Sequence, residues 1–188
     1  MTAPVISGGR LRGLRLAVPE GWSTRPTRSR VREALFSAVA DWLPGARVAD
    51  LYAGSGALGL EALSRGAAHA TFVEHDPRAL LCLRQNLQAA RLQPKEFELL
   101  VTDARLVQPV QGSPFDLVFV DPPFALRDPL PAALLLAGAL APAALLVIEQ
   151  PSERIAPLRQ GDLELRTTRP YGSSSLWLYA PAGTRPDP

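Results

Sequence analysis

The sequence predicts an α/β protein built on a mostly parallel sheet of seven strands, the last two forming an antiparallel pair. Three observations carry this reading. From residue 46 onward, short apolar runs alternate with segments of helical periodicity, the pattern of strand–helix–strand units with right-handed crossovers. The apolar runs are almost free of polar residues, as strands covered on both faces must be. Two of the helical segments open on Asp-Pro, at Asp76-Pro77 and Asp128-Pro129; each pair offers an N-cap and a first-turn proline.

In chain order, residues 5–19 (VISGGRLRGLRLAVP) read as two short strands around a Gly- and Arg-containing turn. Val31, Leu35, Val39 and Leu43 recur every four residues and mark one helical face. Thr27 or Ser29 is the expected cap of that helix, and Pro44-Gly45 its end. RVADLY is the first strand of the alternation, and ALGLEALSRG a helix stopped by Gly66. ATFVEH is a strand, and DPRALLCLRQNLQAARL a helix capped by Asp76. FELLVTD and DLVFVD are strands, residues 128–140 a helix, and ALLVIEQ a strand. DLELRTTRP and SSSLWLYAP form the closing pair. The expected organisation is a basic N-terminal hairpin over residues 1–26, one catalytic domain over 27–180 and a flexible tail over 181–188.

Composition removes several classes. The chain has 188 residues and is 47% apolar, enough for one domain with a real core. The most apolar stretch, residues 130–148, is interrupted by Pro131, Gly138 and Pro142 and is no membrane span. The start lacks the apolar core of a secretory signal, so the cytoplasm is the expected location and no membrane partner is expected. Cys82 is the single cysteine, and His69 and His75 are the two histidines. That leaves no disulfide, no cysteine-rich zinc centre and little for a Ser-His-Asp triad; no metal is expected. Net charge is +2, yet residues 1–32 hold seven arginines against Glu20 alone, a local +6 that leaves −4 for the rest. A basic end of this kind fits a polyanion, with a solvated surface as the plain alternative.

The loop after the first strand, DLYAGSGALG, carries Gly54, Gly56 and Gly59 in the spacing G-x-G-x-x-G. In open α/β sheets, ligands bind at the carboxyl ends of the strands, where glycines let the backbone approach them. Glu74 ends the next strand, twenty residues after Gly54; its carboxylate is placed to accept both hydroxyls of an adenosine ribose. NAD and S-adenosylmethionine both satisfy this pattern. Asp50, four residues before Gly54, separates them: a fixed anion repels a pyrophosphate and attracts a sulfonium or ammonium. Asp103, at the end of the third strand, is placed for the adenine amine.

The fourth strand ends in Asp121-Pro122-Pro123-Phe124. DPPF resembles the (Asn/Asp)-Pro-Pro-(aromatic) signature of methyltransferases that act on planar amines. The chemistry fits that role. The lone pair of such an amine is delocalised into its ring. Asp121 can accept one amine hydrogen and the Pro122 carbonyl the other, which favours a pyramidal nitrogen with its lone pair facing the methyl group. The prolines set these acceptors in advance, and Phe124 offers a stacking plate for the base. No strong base is needed, since the nitrogen becomes acidic only as it gains the methyl.

The order of segments is similar to that of the RsmD family, which methylates N2 of a guanine in bacterial 16S ribosomal RNA, and the likeness spans roughly residues 5–179. ISGGRLRGLRL resembles the family's opening hairpin, RPTRSRVREALF its Arg-Pro-Thr segment, DLYAGSGALGLEALSRGA its cofactor loop, VFVDPPF its catalytic strand end and YGSSSLWLY its closing strand. The resemblance implies a Rossmann-like class I methyltransferase. By the same token Asp50, Tyr52, Ala53, Gly54, Ser55, Gly56, Glu74, Asp103, Ala104 and Asp121 would line S-adenosylmethionine, with Asp121 to Phe124 on the target base. Arg10, Arg12, Arg25, Arg28, Arg30 and Arg32 would meet RNA phosphates. His75 stands where a hydrophobic residue is common and receives no role. The implied substrate is 16S rRNA within a partly assembled small ribosomal subunit, and a monomer is the expected state. The alternatives are an amino-methyltransferase for DNA adenine or protein glutamine, a nicotinamide-dependent oxidoreductase, against which Asp50 and DPPF both weigh, and a non-catalytic RNA-binding module.

Overall fold

The computed structural model describes residues 3–21, 26–107, 114–123 and 140–184. Five parallel strands, β1 (Arg47–Leu51), β2 (His69–Glu74), β3 (Phe97–Val101), β4 (Phe115–Val120) and β5 (Leu140–Pro151), continue into an antiparallel group, β6 (Arg159–Gln160), β7 (Leu163–Tyr171) and β8 (Ser174–Pro181). They form one sheet in the order β3-β2-β1-β4-β5-β8-β7-β6. The chain builds outward from β1 to β3, then returns to place β4 on the other side of β1. That reversal makes β1 and β4 the topological switch point, where open sheets of this kind bind ligands. Asp50 pairs with Phe119 and Leu51 with Val120 across it, so the glycine loop and the DPP segment leave the sheet side by side.

Three helices are described: α1 (Pro26–Ala38), α2 (Ala57–Ser64) and α3 (Pro77–Ala89). Helix α1 ends at Ala38, before the expected stop at Pro44-Gly45, and gives way to a 3-10 turn over Ala40–Trp42, so Val39 and Leu43 of the predicted face lie beyond it; Val31, Leu35, Val39 and Leu43 are nonetheless all buried. Each is worth about 1.5–3 kcal/mol of transfer free energy. They join Phe36, Leu60, Phe72 and Leu83 in a core on one face of the sheet, to which β4 contributes Leu117 and Phe119. Val118 and Val120 alternate to the opposite face, with Ile148, Trp177 and Tyr179. Asp76 caps α3 as expected, accepting hydrogen bonds from the N–H groups of Arg78 and Ala79, with Pro77 following it.

The structure departs from the sequence reading in four further places. The sheet has eight strands, because the two residues of β6 add a short edge beyond β7. Helix α1 begins at Pro26, so Thr27 and Ser29 lie inside its first turn and neither is its cap. The N-terminal segment is a loose hairpin closed by a single β-bridge between Val5 and Arg15, with residues 8–13 in bends and turns. Its Ile6 and Leu16 are nonetheless fully buried in the main core. Strand β5 starts at Leu140, four residues before ALLVIEQ, and a bulge lies between its pairings with Phe115 and Leu117. The helix expected over 128–140 lies outside the described residues up to 139. Of the expected tail, Pro181 ends β8, and the Thr184 carbonyl accepts a hydrogen bond from Arg166. No described helix is long and apolar enough to cross a membrane.

Candidate active site

The glycine loop leaves β1 through three left-handed residues. Tyr52 has φ 62°, Gly54 φ 56° and Gly56 φ 79°. For tyrosine this conformation is costly, and such strain gathers at ligand sites. The loop is held by its neighbours: the Ala53 N–H donates to the Val73 carbonyl at 3.0 Å, and the Gly54 N–H to Glu74 Oε2 at 2.8 Å. The two later glycines answer to packing. A Cβ on Gly56 would lie 2.5 Å from the Leu83 side chain, and one on Gly59 2.3 Å from the Phe72 ring. They let α2 close onto the sheet.

Asp50 is buried, and its Oδ2 accepts the Gly59 N–H at 2.8 Å. This carboxylate therefore fixes the first turn of α2 from beneath. Burial pushes its pKa well above the usual carboxylate range, and the nearby charges of Asp121 and Glu74 push it further. Glu74, also buried, accepts three backbone N–H groups: Gly54 on Oε2, and His75 at 2.7 Å and Asp76 at 2.8 Å on Oε1. A carboxylate has about four acceptor positions, so one remains for a ligand hydroxyl, where the sequence reading expected Glu74 to accept both hydroxyls of a ribose. His75 stands 3.7 Å from Glu74 with its ring exposed.

Asp103 caps a short 3-10 turn at Ala104–Leu106 and pairs with Arg105. Its hydrogen bonds to Arg105 hold its pKa at about 2, so it is ionised at neutral pH. Ala104 is buried beside it. Asp121 is half-buried, Pro122 buried and Pro123 exposed. The Asp121 N–H donates to the Leu51 carbonyl at 3.4 Å, which ties the DPP segment to the end of β1. Phe124 lies outside the described residues.

The arginines divide. Arg12, Arg15 and Arg30 are exposed and carry no ion pair among the described residues. Arg10 pairs with Glu96 at the surface. Arg25 and the side chain of Arg28 lie outside the described residues. Arg32, expected on phosphate, is turned inward: it is buried, donates to the Val5 carbonyl at 2.6 Å and stands 3.5 Å from Glu61. Its desolvated guanidinium is held below its ordinary pKa by that burial, with Glu61 acting against it.

Glu61 was not legible in advance, although an acid alone in the otherwise apolar ALGLEALS was a signal. It is fully buried and accepts the Ser7 and Gly8 N–H groups, the Ser7 hydroxyl and Arg65 Nε, all within 2.9 Å. Arg65 also lies over the Phe36 ring. One turn on, Ser64 receives the Leu11 N–H on its hydroxyl and the Arg10 N–H on its carbonyl, both at 2.8 Å. Gly9, at φ 72°, has no alternative: a Cβ there would sit 1.8 Å from the Ser64 carbonyl oxygen. Asn86 of α3 completes the attachment, exchanging two hydrogen bonds with Ala17 and donating a third to the Ser55 carbonyl in the glycine loop. The basic segment and the loop are thus bonded to one asparagine.

Sheet order, switch-point glycine loop and strand-end acids together define a class I, S-adenosylmethionine-dependent methyltransferase. Relatives narrow the class. The chain belongs to the RsmD family, whose model, described as conserved hypothetical protein 95, matches residues 5–180. It is 39% identical over 177 residues to the ribosomal RNA small subunit methyltransferase D of Escherichia coli K12, covering 93% of this chain and 88% of that one. The protein of the same name from Haemophilus influenzae is 36% identical, with 93% and 92% covered. Among solved structures, yhhF of Escherichia coli superposes with a TM-score of 0.82 at 37% identity, covering 96% of this chain and 99% of its own.

Proposed function

We propose that this protein transfers a methyl group from S-adenosylmethionine to the exocyclic N2 amine of a guanine in 16S ribosomal RNA, in the cytoplasm, with a partly assembled small subunit as substrate. The observation that carries the reading is the juxtaposition at the switch point. Asp121 and Glu74 both stand close enough to the buried Asp50 to raise the cost of its charge, and Asp50 has no ion pair among the described residues. A cationic ligand relieves that cost; a pyrophosphate would add to it. The residues present therefore fit S-adenosylmethionine, which supplies a methyl group on a cationic sulfur.

In this reading the strained Tyr52–Gly56 turn brings backbone against the donor. Glu74 holds that turn and offers its remaining acceptor position to a ribose hydroxyl. Asp103, ionised and fixed by Arg105, accepts the adenine amine, with Ala104 beside it. Asp121 and the Pro122 carbonyl take the two hydrogens of the guanine amine and orient its lone pair. A base flipped from its stack rests on Phe124. As the nitrogen bonds the methyl carbon the carbon–sulfur bond breaks, and the surplus amine proton then passes to the Asp121 carboxylate that already accepts it, so no histidine is required. Arg12 and Arg30 meet phosphates, Arg10 does so from its surface pair with Glu96, and Arg25 and Arg28 extend the same basic segment; Arg32 holds that segment from within.

The test is methylation of small-subunit particles and of free 16S rRNA from cells lacking the protein, using labelled donor and mass mapping of the product. The expected result is a single guanine gaining one methyl on N2. Incorporation into naked duplex DNA, with none into either rRNA substrate, would contradict the proposal and favour the DNA-adenine alternative.

A further inference from the structure

Strand β3 forms one edge of the sheet, and between it and the end of α3 lies an open groove of about 380 Å³. Its floor is apolar: Leu87, Leu92, Phe97 and Leu99. Arg84 and Arg91 line it, both exposed and neither in an ion pair among the described residues. Alternation along β3 sends Phe97 and Leu99 to this face and Glu98 to the other. Glu96, the nearest acid before Phe97, is engaged by Arg10 and by the Gln93 N–H. The groove is therefore basic at its rim, apolar beneath, and continuous through Arg10 with the basic N-terminal segment.

Arg91 adds an independent observation. It follows the C-cap of α3, Ala90, and adopts φ 50°. That helix-ending position normally takes glycine or asparagine, because a Cβ is disfavoured there. A long cation has been placed where the backbone would be better served by glycine.

We infer that this groove is a second RNA contact, holding a nucleotide several positions along the strand from the target, with its base on the Leu92–Phe97 floor and its phosphates on Arg84 and Arg91. The inference rests on the RNA substrate proposed above. A rim of two cations matches a phosphate backbone, and an apolar floor matches the face of any base, so the contact is indifferent to sequence. It lies near the far end of α3, about 20 Å along the helix from the cofactor edge, and lengthens the footprint without touching the reacting atoms.

The experiment uses the full chain, with binding to a protein-free 16S rRNA fragment measured across a salt series and methylation measured on partly assembled small-subunit particles. Arg84→Ala/Arg91→Ala is expected to make the slope of log K against log[salt] shallower by roughly 1.4, about 0.7 for each lost contact with single-stranded phosphate. KM for RNA should rise about tenfold or more, while kcat and S-adenosylhomocysteine affinity stay unchanged. Arg91→Gly separates this from a structural role: it is expected to melt at the same or a higher temperature and yet bind RNA more weakly. An unchanged slope in the double variant overturns the groove assignment. So does a defect seen only on protein-containing particles, which would make the occupant a ribosomal protein. Failure of wild type to methylate rRNA would instead fault the functional reading, since binding and transfer are read separately.

Discussion

At its N-terminal end, helix α2 meets a carboxylate through a backbone N–H, where Gly59 binds Asp50. From its middle to its C-terminal end, it presents a carboxylate and a hydroxyl to another segment, where Glu61 and Ser64 receive residues 7–11. Both regions hold a buried acid and both depend on glycine, but the acids are partnered differently. Glu61 is surrounded by donors, including Arg65 and the buried Arg32. Among the described residues, Asp50 has a single backbone donor and lies in the field of two further acids. A buried acid that the protein has satisfied is architecture. One that the protein leaves in a field of like charge is evidence for a cationic ligand. The glycines divide similarly: Gly9 is required because another backbone lies against it, Gly59 because a ring does, and Gly54 because the chain turns left-handed.

The contrast can be broken most forcefully at Glu61. Glu61→Ala leaves Arg65 and the half-buried Ser7 and Gly8 N–H groups without their acceptor and the buried Arg32 without its counter-charge, and should cost about 3–5 kcal/mol in denaturant unfolding. Glu61→Gln keeps one acceptor and should cost less. If Glu61→Ala unfolded like wild type, the buried network would not be what holds the basic segment. Gly9→Ala should be milder, about 1–3 kcal/mol, since it forces the segment off Ser64 but removes no partner of Glu61. Its signature is a raised KM for RNA with donor affinity intact, and a change in donor affinity alone would contradict the division of labour.

Asp50→Asn sharpens the other side with the smallest effect and an opposite sign. The folded-state pKa of Asp50 is raised. Its ionisation therefore disfavours the folded state as pH climbs from the ordinary carboxylate range, about 3.9, toward that raised value. Asparagine keeps an acceptor for Gly59 and removes the charge. The variant should melt about 2–4 °C above wild type at pH 7, converging with it near pH 4, while binding donor less tightly. A lower melting temperature at pH 7 would mean that Asp50 is stabilised by something in the free protein.

Much of this was legible because it rests on local rules. The spacing of Val31, Leu35, Val39 and Leu43, the Asp76-Pro77 cap and the apolar strands follow from periodicity and capping, and all appear in the fold. What escaped depends on contacts between distant segments. The inward turn of Arg32 needs the Val5 carbonyl and Glu61, 27 and 29 positions away. The left-handed Tyr52 is imposed by the strands around it, since nothing in its own chemistry favours φ 62°. The start of α1 at Pro26 came out earlier than Thr27 or Ser29 because proline itself is preorganised for a first turn.

The central claim, that Asp121 orients the target amine and adds little more than its charge to the donor site, is tested most directly by measuring both quantities on Asp121→Ala. The predicted result is a fall in kcat of about 10²–10³, the scale of losing one preorganised hydrogen-bonding group, with S-adenosylhomocysteine affinity from calorimetry within a few-fold of wild type. Near-normal turnover, or loss of donor binding in step with loss of rate, would contradict it.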